Sequence, residues 1–246
     1  MKEHDKHRAF WEDIGEHDPY FGVLTHDEFR SAQINADGKA KFYESGVQHI
    51  DRTLKKLEKH WPKATAKLRT AVDFGCGTGR LSLALARHFE SVQGFDISAT
   101  MLAEAEAQRQ EMKLDNVVFH QVEGDQPFLE SSYDYLHSSM VFQHIPPANG
   151  MLLLRHLLTH LRQGGLAFLQ ITHHTHMAGF KKPVNKLVRL LRWRKRQKQR
   201  DVYAFAMYDY DLNAIFQLFQ ELGVGEVLTG FGESGNHAFV RFYLRK

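Results

Sequence analysis

The most informative stretch of the sequence is Val72-Asp73-Phe74-Gly75-Cys76-Gly77-Thr78-Gly79-Arg80. An apolar run ends at Phe74, and a helical pattern follows the glycines over residues 79–89. Glycines at a strand-to-helix turn let the backbone approach a ligand closely, and the helix N-terminus offers free N–H groups to an anion. Arg80 stands where the dinucleotide-binding fingerprint has a third small residue. The turn therefore predicts a nucleotide-type site that departs from the dinucleotide pattern.

Two acids accompany this turn. Asp73 precedes the first glycine by two residues, and Asp96 ends the next strand-like run, 21 residues past Gly75. A carboxylate at the end of a neighbouring parallel strand can accept hydrogen bonds from both hydroxyls of a ribose. We therefore expect Asp96 to hold the ribose of a bound ligand. A helix cap is the alternative role for this residue.

Short strand-like runs alternate with helical patterns from residue 68 onward. The strand-like runs are LRTAVDFG (68–75), SVQGFD (91–96), NVVFHQVEGD (116–125), YDYLHSS (133–139), GLAFLQIT (165–172), GEVLTGF (225–231) and HAFVRFYL (237–244). Helical patterns cover residues 79–89, 98–113 and 148–162, and another follows Asp209. Strand–helix–strand spacing of this kind predicts a three-layer α/β fold around a parallel sheet, and the last two runs suit an antiparallel hairpin.

Length and composition indicate a globular protein. The chain has 246 residues, of which 43% are hydrophobic, and this excludes a disordered or fibrous protein. No stretch approaches 18 uncharged apolar residues, and the first fifteen residues lack the apolar segment of a secretory signal. The single cysteine, Cys76, cannot form an internal disulfide. We expect a cytoplasmic protein with a helical extension over residues 1–62 and one domain over residues 63–246.

The extension contains three helical patterns. They are HRAFWEDIG, THDEFRSAQ and a run from about Lys39 to His60. A capping box of Thr25 and Glu28 predicts the start of the second. Tyr20 and Phe21 are candidates for a lid over the site, with core packing as the alternative.

The basic character of the chain is concentrated in one segment. Residues 181–201 hold ten of the 32 Lys and Arg residues and one of the 29 Asp and Glu residues. They lie in an insertion, 173–203, and predict a basic amphipathic helix. The open alternatives are a solvated helix over the site, peripheral contact with an anionic membrane surface, an anionic acceptor, or RNA. Contact with the membrane would put the protein at the inner membrane surface.

Five motifs together resemble those of the class I S-adenosylmethionine methyltransferases. They are VDFGCGTG (72–79), GFDIS (94–98), EGD (123–125), YDYLHSSMVFQHI (133–145) and LRQGGLAFLQI (161–171). The resemblance implies a doubly wound, seven-stranded, mostly parallel sheet whose last strand is antiparallel. It also implies that residues 63–246 form the methyltransferase domain and that S-adenosyl-L-methionine is the cofactor.

The resemblance assigns roles to individual residues. Gly75, Gly77 and Gly79 are expected to shape the methionine pocket, and Asp73 to support the loop and the donor's amino group. Asp96 is expected to hold the ribose. The remaining predicted contacts are Ile97 and Met101 beside the adenine, Gly124 and Asp125 at its edge, and Met140 near the sulfonium.

The sequence shows only weak candidates for the chemical step. His144 follows the fourth strand and is the candidate general base, with a packing role as the alternative. His173, His174 and His176 lack a neighbouring carboxylate or cysteine, so no metal site is predicted.

The predicted function is methyl transfer to an oxygen or nitrogen of a small molecule or of a glycan- or lipid-linked intermediate. Nucleic acid is disfavoured as acceptor, because Ser138-Ser139-Met140-Val141 replaces the Asn/Asp-Pro-Pro-aromatic motif of base amino-methyltransferases. The alternative is a non-catalytic protein that binds the cofactor and is anchored to anionic surfaces through residues 181–201. A dinucleotide-dependent oxidoreductase is a second rival, disfavoured by Arg80 and the closing hairpin.

Overall fold

A seven-stranded sheet organises the protein. The structure is a computed structural model that describes residues 3–123, 129, 131–175 and 207–246. Its strands are β1 Thr70–Phe74, β2 Ser91–Asp96, β3 Val117–Gln121, β4 Tyr133–Ser138, β5 Leu161–Thr175, β6 Glu226–Ser234 and β7 His237–Arg245. The strand order is β3-β2-β1-β4-β5-β7-β6, and β7 runs antiparallel to both of its neighbours. The predicted α/β fold with an antiparallel last strand is confirmed.

Eight α-helices surround this sheet in the described residues. They are α1 Glu3–His17, α2 Pro19–Val23, α3 Ala36–His60, α4 Pro62–Thr65, α5 Ser82–Leu85, α6 Ala99–Glu111, α7 Pro147–His160 and α8 Leu212–Glu221. Short 3-10 turns occur at Asp27–Phe29 and Phe142–His144. Among these helices none has the length and apolarity needed to cross a bilayer.

Apolar cores lie on both faces of the sheet. On one face Leu154 of α7 and Phe219 of α8 pack with Val72 of β1. On the other face Phe42 of α3 packs with the cluster that contains Ala71. Val72 and Ala71 are neighbours on β1, so their opposite directions follow from the pleat of the strand. Because α3 shares this core, part of the N-terminal extension packs directly against the sheet. The division of the chain at residue 62 stays a prediction.

The predicted capping box is wrong. Residues 27–29 form a single 3-10 turn, and His26 precedes it without a side-chain cap. Asp18 fixes the residues after this turn instead. Its carboxylate accepts a hydrogen bond from the Ser31 amide (2.6 Å) and forms an ion pair with Arg30 (3.3 Å). The Arg30 guanidinium also covers the Phe21 ring at 3.7 Å. These tertiary contacts outweigh the local helix signal.

Most of the insertion lies outside the described residues. His173 and His174 belong to the last part of β5, whereas His176 and the basic segment 181–201 fall outside the described ranges. The predictions for that segment therefore stay predictions.

Candidate active site

A cavity of about 610 Å³ opens at the carboxyl ends of β1, β2 and β4. This edge of a doubly wound sheet is where such folds bind ligands, and the volume suits a small-molecule site. Phe74 and Asp96 end two of the strands and line the cavity. Trp11 of α1 and Val23 of α2 line it from the N-terminal segment. The site is therefore built jointly by the sheet and by the first two helices.

The structure brings most of the predicted site residues together. The predicted residues that line the cavity are Gly75, Gly77, Asp96, Ile97, Met101, Met140 and His144. Asp73 and Gly79 do not line it. Gly124 and Asp125 lie outside the described residues, so their predicted contacts stay predictions.

The glycine turn needs residues without a side chain. Gly75 has φ +75°, and a Cβ there would lie 2.2 Å from the Val141 side chain. Gly77 has φ +52°, and its Cβ would meet Val23 at 3.0 Å. L-residues rarely adopt this left-handed region, so glycine is required for the conformation as well as for space. The Gly75 amide donates to the Phe95 carbonyl (2.7 Å) and ties the turn to β2.

Asp73 and Gly79 stabilise this turn without lining the cavity. Asp73 is buried and accepts a hydrogen bond of 2.6 Å from the Ser82 hydroxyl. Burial raises the pKa of Asp73 to about 7. A Cβ on Gly79 would lie 3.0 Å from Ala105 of α6 and from Phe119 of β3. Gly79 therefore lets the turn pack closely against two neighbouring elements.

Asp96 keeps part of its hydrogen-bonding capacity. Its Oδ2 accepts from the Gly77 amide (2.8 Å), and its Oδ1 accepts from the Ser98 amide (3.0 Å). A carboxylate offers about four acceptor positions, so the bonds to the Gly77 and Ser98 amides leave part of its capacity open. Burial raises the pKa of Asp96, and backbone hydrogen bonds from Ser98, Gly77 and Ile97 oppose that shift. The carboxylate therefore keeps capacity to accept from a donor in the cavity that Asp96 lines.

His144 belongs to the 3-10 turn that follows β4, and it lines the same cavity as the glycine turn. Its Nε2 shares a hydrogen bond of 3.0 Å with the Gln143 amide nitrogen, and Gln143 Oε1 accepts from the Thr172 hydroxyl at 3.3 Å. The Trp11 ring meets the imidazole edge-on at 5.2 Å between centroids.

Met140, nearby in the chain, has φ +62°, an uncommon conformation for a residue with a side chain.

Sequence reasoning missed much of the cavity wall. His7 and Trp11 come from α1, and His237 and Phe239 come from β7, far away in the chain. The predicted lid residues Tyr20 and Phe21 are buried and do not line the cavity, whereas the following Gly22 and Val23 do. The amphipathic pattern of residues 3–17 predicts a helix, but it does not say which surface of the protein that helix covers.

Glu12 fastens α1 to the N-terminus of α6. Its carboxylate accepts hydrogen bonds from the Ala99 amide (2.8 Å) and the Thr100 amide (3.0 Å). Burial raises the pKa of Glu12, but these hydrogen bonds lower it by more, so the pKa lies below its ordinary value. A carboxylate at this position also interacts favourably with the helix dipole. Glu12 thus holds the helix that carries Trp11 over the cavity.

The variant Glu12→Ala is expected to loosen α1. Loss of a helix cap costs about 0.5–2 kcal/mol of the free energy of unfolding, and amide exchange in α1 should accelerate. Urea unfolding and hydrogen-exchange mass spectrometry measure the two effects. Glu16→Ala, at an exposed position of the same helix, is the control and should leave both unchanged. Unaltered exchange in α1 of the Glu12 variant would contradict the assigned role.

Comparisons with known proteins agree with this geometry. A sequence profile of the methyltransferase domain family matches residues 71–165. The structure of magnesium protoporphyrin IX methyltransferase from Synechocystis PCC 6803 with bound S-adenosylhomocysteine (SAH) aligns over 100% of both chains, with 20% identity and a TM-score of 0.64. An S-adenosylmethionine-dependent methyltransferase from Clostridium acetobutylicum aligns over 91% of this chain and 97% of its own, with 12% identity and a TM-score of 0.59.

A third similar structure is that of a methyltransferase with a phosphorylated amine bound. Phosphoethanolamine N-methyltransferase 2 from Haemonchus contortus, in complex with phosphomonomethylethanolamine and SAH, aligns over 76% of this chain and 53% of its own. The identity is 17% and the TM-score 0.50. No curated protein matches the chain by sequence. Residues 71–165 thus match the methyltransferase domain family, and the described chain has the seven-stranded fold of the class I S-adenosylmethionine-dependent methyltransferases.

Proposed function

We propose that the protein transfers a methyl group from S-adenosyl-L-methionine to an oxygen or nitrogen of a small molecule or of a glycan- or lipid-linked intermediate. The observation that carries this proposal is Asp96, which lines the same cavity as Gly75 and Gly77 and keeps part of its acceptor capacity open. A ribose diol supplies two hydroxyl donors to such a group.

The residues present fit the cofactor. Gly75 and Gly77 line the cavity, and Val141 and Val23 pack where their side chains would be, so the turn offers backbone to the methionine portion. Ile97 and Met101 offer apolar surface beside Asp96, as an adenine ring requires. Gly124 and Asp125 lie outside the described residues, and their contact with the adenine edge stays a prediction.

The remaining cavity residues suit acceptor positioning. When bound, the cofactor supplies an activated methyl group, so the protein mainly holds the acceptor in line, roughly 3–3.5 Å from the methyl carbon. His144 is proposed to take the proton of an acceptor hydroxyl at Nε2, and the acceptor must then displace the Gln143 amide, which donates to that nitrogen in the structure. Met140 is proposed to lie near the sulfonium.

The character of the lining favours an acceptor with an apolar body. Among the described lining residues, Asp96 is the only carboxylic acid, and Arg80 is the only arginine or lysine. Trp11, Ile145 and Phe239 contribute aromatic and aliphatic surface to the same cavity. The solved neighbours act on or bind acceptors as different as a metalloporphyrin and a phosphorylated amine, so they support the reaction class and leave the acceptor open.

Calorimetric titration of the purified full chain tests the proposal. We expect S-adenosylmethionine and SAH to bind at micromolar concentration and NADH not to bind. Binding of NADH alone would overturn the cofactor assignment. Methyl transfer from labelled cofactor to a panel of phenols, carboxylic acids and amines then separates the enzyme from the alternative, a non-catalytic protein anchored through residues 181–201. That alternative gains support if the cofactor binds and no acceptor is methylated.

A further inference from the structure

Three basic side chains gather on the face of the sheet that α3 covers. Lys56 of α3 has its Nζ 4.0 Å from the centre of the Tyr243 ring, and Arg241 of β7 has its guanidinium carbon 4.8 Å from the centre of the Phe239 ring. Arg52, one turn before Lys56, acts on the same place. Burial raises the pKa of Tyr243, and both Arg241 and Arg52 oppose that shift. Arg52, Lys56 and Arg241 are together called the basic cluster.

No carboxylate neutralises the basic cluster in the part of the chain that the structure describes. Its side chains form no ion pair there, and their single hydrogen bond runs from Arg52 Nε to the Gln48 carbonyl (2.9 Å). Glu226, the acid on this face of β6, is already paired with Arg245. Like charges close together repel one another, so the cluster is unfavourable until an anion joins it.

The neighbouring strand β6 leaves room beside the cluster. Gly230 and Gly232 lie opposite Arg241 and Phe239 in the strand register. A Cβ on Gly232 would lie 2.5 Å from the Phe239 ring and 3.5 Å from Arg241 Nη2. A Cβ on Gly230 would lie 3.7 Å from Lys56 Nζ. Neither glycine has a positive φ, so what they supply is room, as glycine does in strands that a ligand approaches closely.

The basic cluster adjoins the cavity at the end remote from Asp96. Phe239, over whose ring Arg241 lies, lines the cavity, and so does Gln170 of β5. Gln170 is the register partner of Arg241, so the two residues are neighbours on one face of the sheet. Strands β5 and β7 lie beyond β4 from β1 and β2, which carry the glycine turn and Asp96. The cluster therefore borders the part of the cavity that remains for the acceptor.

We propose that Arg241, assisted by Arg52 and Lys56, binds an oxyanion of the acceptor, either a carboxylate or a phosphate. This inference rests on the proposed function, because it names the class of acceptor for the same cavity. The apolar body of the acceptor would lie against Phe239, and the anion would lie beyond that ring. The planar guanidinium of an arginine matches the oxygen atoms of a carboxylate or a phosphate, and it can bind either group bidentately.

Five small ligands separate the anion from the apolar body. Benzoate and phenyl phosphate carry a ring and a charge, benzyl alcohol carries the ring alone, and acetate and inorganic phosphate carry the charge alone. Each is titrated into the full chain at low ionic strength, because salt screens exposed charges, and binding is followed by NMR of the labelled protein. We expect benzoate or phenyl phosphate to bind at least about tenfold more tightly than benzyl alcohol. The better of the two identifies the oxyanion.

The ring should contribute as well as the charge. Burial of a phenyl group removes enough apolar surface from water to raise affinity about tenfold, so the better anion should exceed its ring-free counterpart by that factor. Benzyl alcohol that binds as tightly as both aromatic anions would overturn the inference. Equal affinities with and without the ring would indicate a surface anion site that does not lead into the cavity, and they would overturn it too.

The variant Arg241→Gln should abolish the preference for charge. The better anion should bind about tenfold more weakly, while benzyl alcohol should bind as it does to the wild type. Arg87→Gln, at an exposed position outside the cluster, removes the same charge from the chain and should keep the wild-type ratio. A wild-type ratio in Arg241→Gln would refute the role. If that variant does not fold, Arg241→Lys serves in its place and should lower the ratio, because an ammonium cannot bind an oxyanion bidentately.

Titrations with SAH separate this inference from the proposed function. Failure of SAH to bind would contradict the proposed cofactor, whatever the anions do. Binding of SAH together with equal affinities for charged and neutral ligands would leave the cofactor in place and reject the anion site. Displacement of SAH by benzoate or phenyl phosphate would put the anion in the cofactor site and would likewise reject it.

Discussion

Replacement of Asp96 by alanine is expected to weaken SAH binding by about 1.5–3 kcal/mol, or roughly 10–150-fold. Asp96 lies at the end of β2 and lines the cavity, and its carboxylate keeps part of its acceptor capacity open. Alanine removes both acceptors for the ribose hydroxyls. It also leaves the Gly77 and Ser98 amides without their partner, so the turn loses part of its preorganisation.

Binding and folding have to be measured separately for this variant. Calorimetry with SAH gives the affinity, and urea unfolding without ligand gives the change in stability. Asp115→Ala, an exposed aspartate at the end of the same βαβ unit, is the control and should change neither quantity appreciably. An Asp96→Ala protein that folds normally and binds SAH with unchanged affinity would refute the ribose assignment.

Local sequence signals were sufficient for the sheet and for the centre of the site. The seven strand-like runs overlap the seven strands, because short apolar runs and βαβ spacing are visible within a few residues of chain. Asp96 was predicted for the same reason: the acid, the strand end and the glycine turn all belong to one local unit. Its proximity to Gly77 follows from the parallel pairing of β1 with β2.

The remaining parts of the site depend on contacts between distant segments. Glu12 meets Ala99 and Thr100 across almost 90 residues, and Arg80 is buried because α3 has Gly46 at the point of contact. Neither fact is visible in a local pattern. The failed capping box at Thr25 shows the opposite case, in which a good local signal is overridden by the contacts of Asp18 with a neighbouring turn.

A buried histidine pair is expected to make the protein less stable in mild acid. His137 of β4 is fully buried, stacks on Phe168 at 4.7 Å, and bonds the Tyr135 hydroxyl through Nδ1 at 2.9 Å. Its Nε2 shares a hydrogen bond of 3.2 Å with Nε2 of His49 on α3. Both rings stay neutral in the folded protein, because burial disfavours the charged form of each.

The sign of the effect follows from the direction of the pKa shifts. Burial, together with the positive charges of Arg80, Arg52 and Arg241, lowers the pKa of His49 to about 3. Burial also lowers the pKa of His137. A histidine with a folded pKa below its unfolded value near 6.5 contributes full stability above that pH. The contribution is lost as the pH falls, at about 1.4 kcal/mol per pH unit for each group.

Asp73 has the opposite effect on the pH dependence of the free energy of unfolding. Burial raises the pKa of Asp73 to about 7, so the folded state binds a proton that the unfolded state releases above pH 4. Between about pH 4.5 and 6 the unfolded chain therefore holds two extra protons on the histidines, and the folded chain holds one on Asp73. The net effect of the three groups is a loss of about 1.4 kcal/mol per unit decrease in pH.

The variant His49→Gln isolates one histidine of the pair. Glutamine can still bond His137 but does not titrate, so the slope of unfolding free energy against pH should fall by about 1.4 kcal/mol per unit between pH 4.5 and 6. Urea unfolding at several pH values measures this slope. His60→Gln, at an exposed position near the end of the same helix, should keep the wild-type slope. If His49→Gln also keeps it, the buried pair does not stay neutral in the folded protein, and the acid sensitivity has another origin.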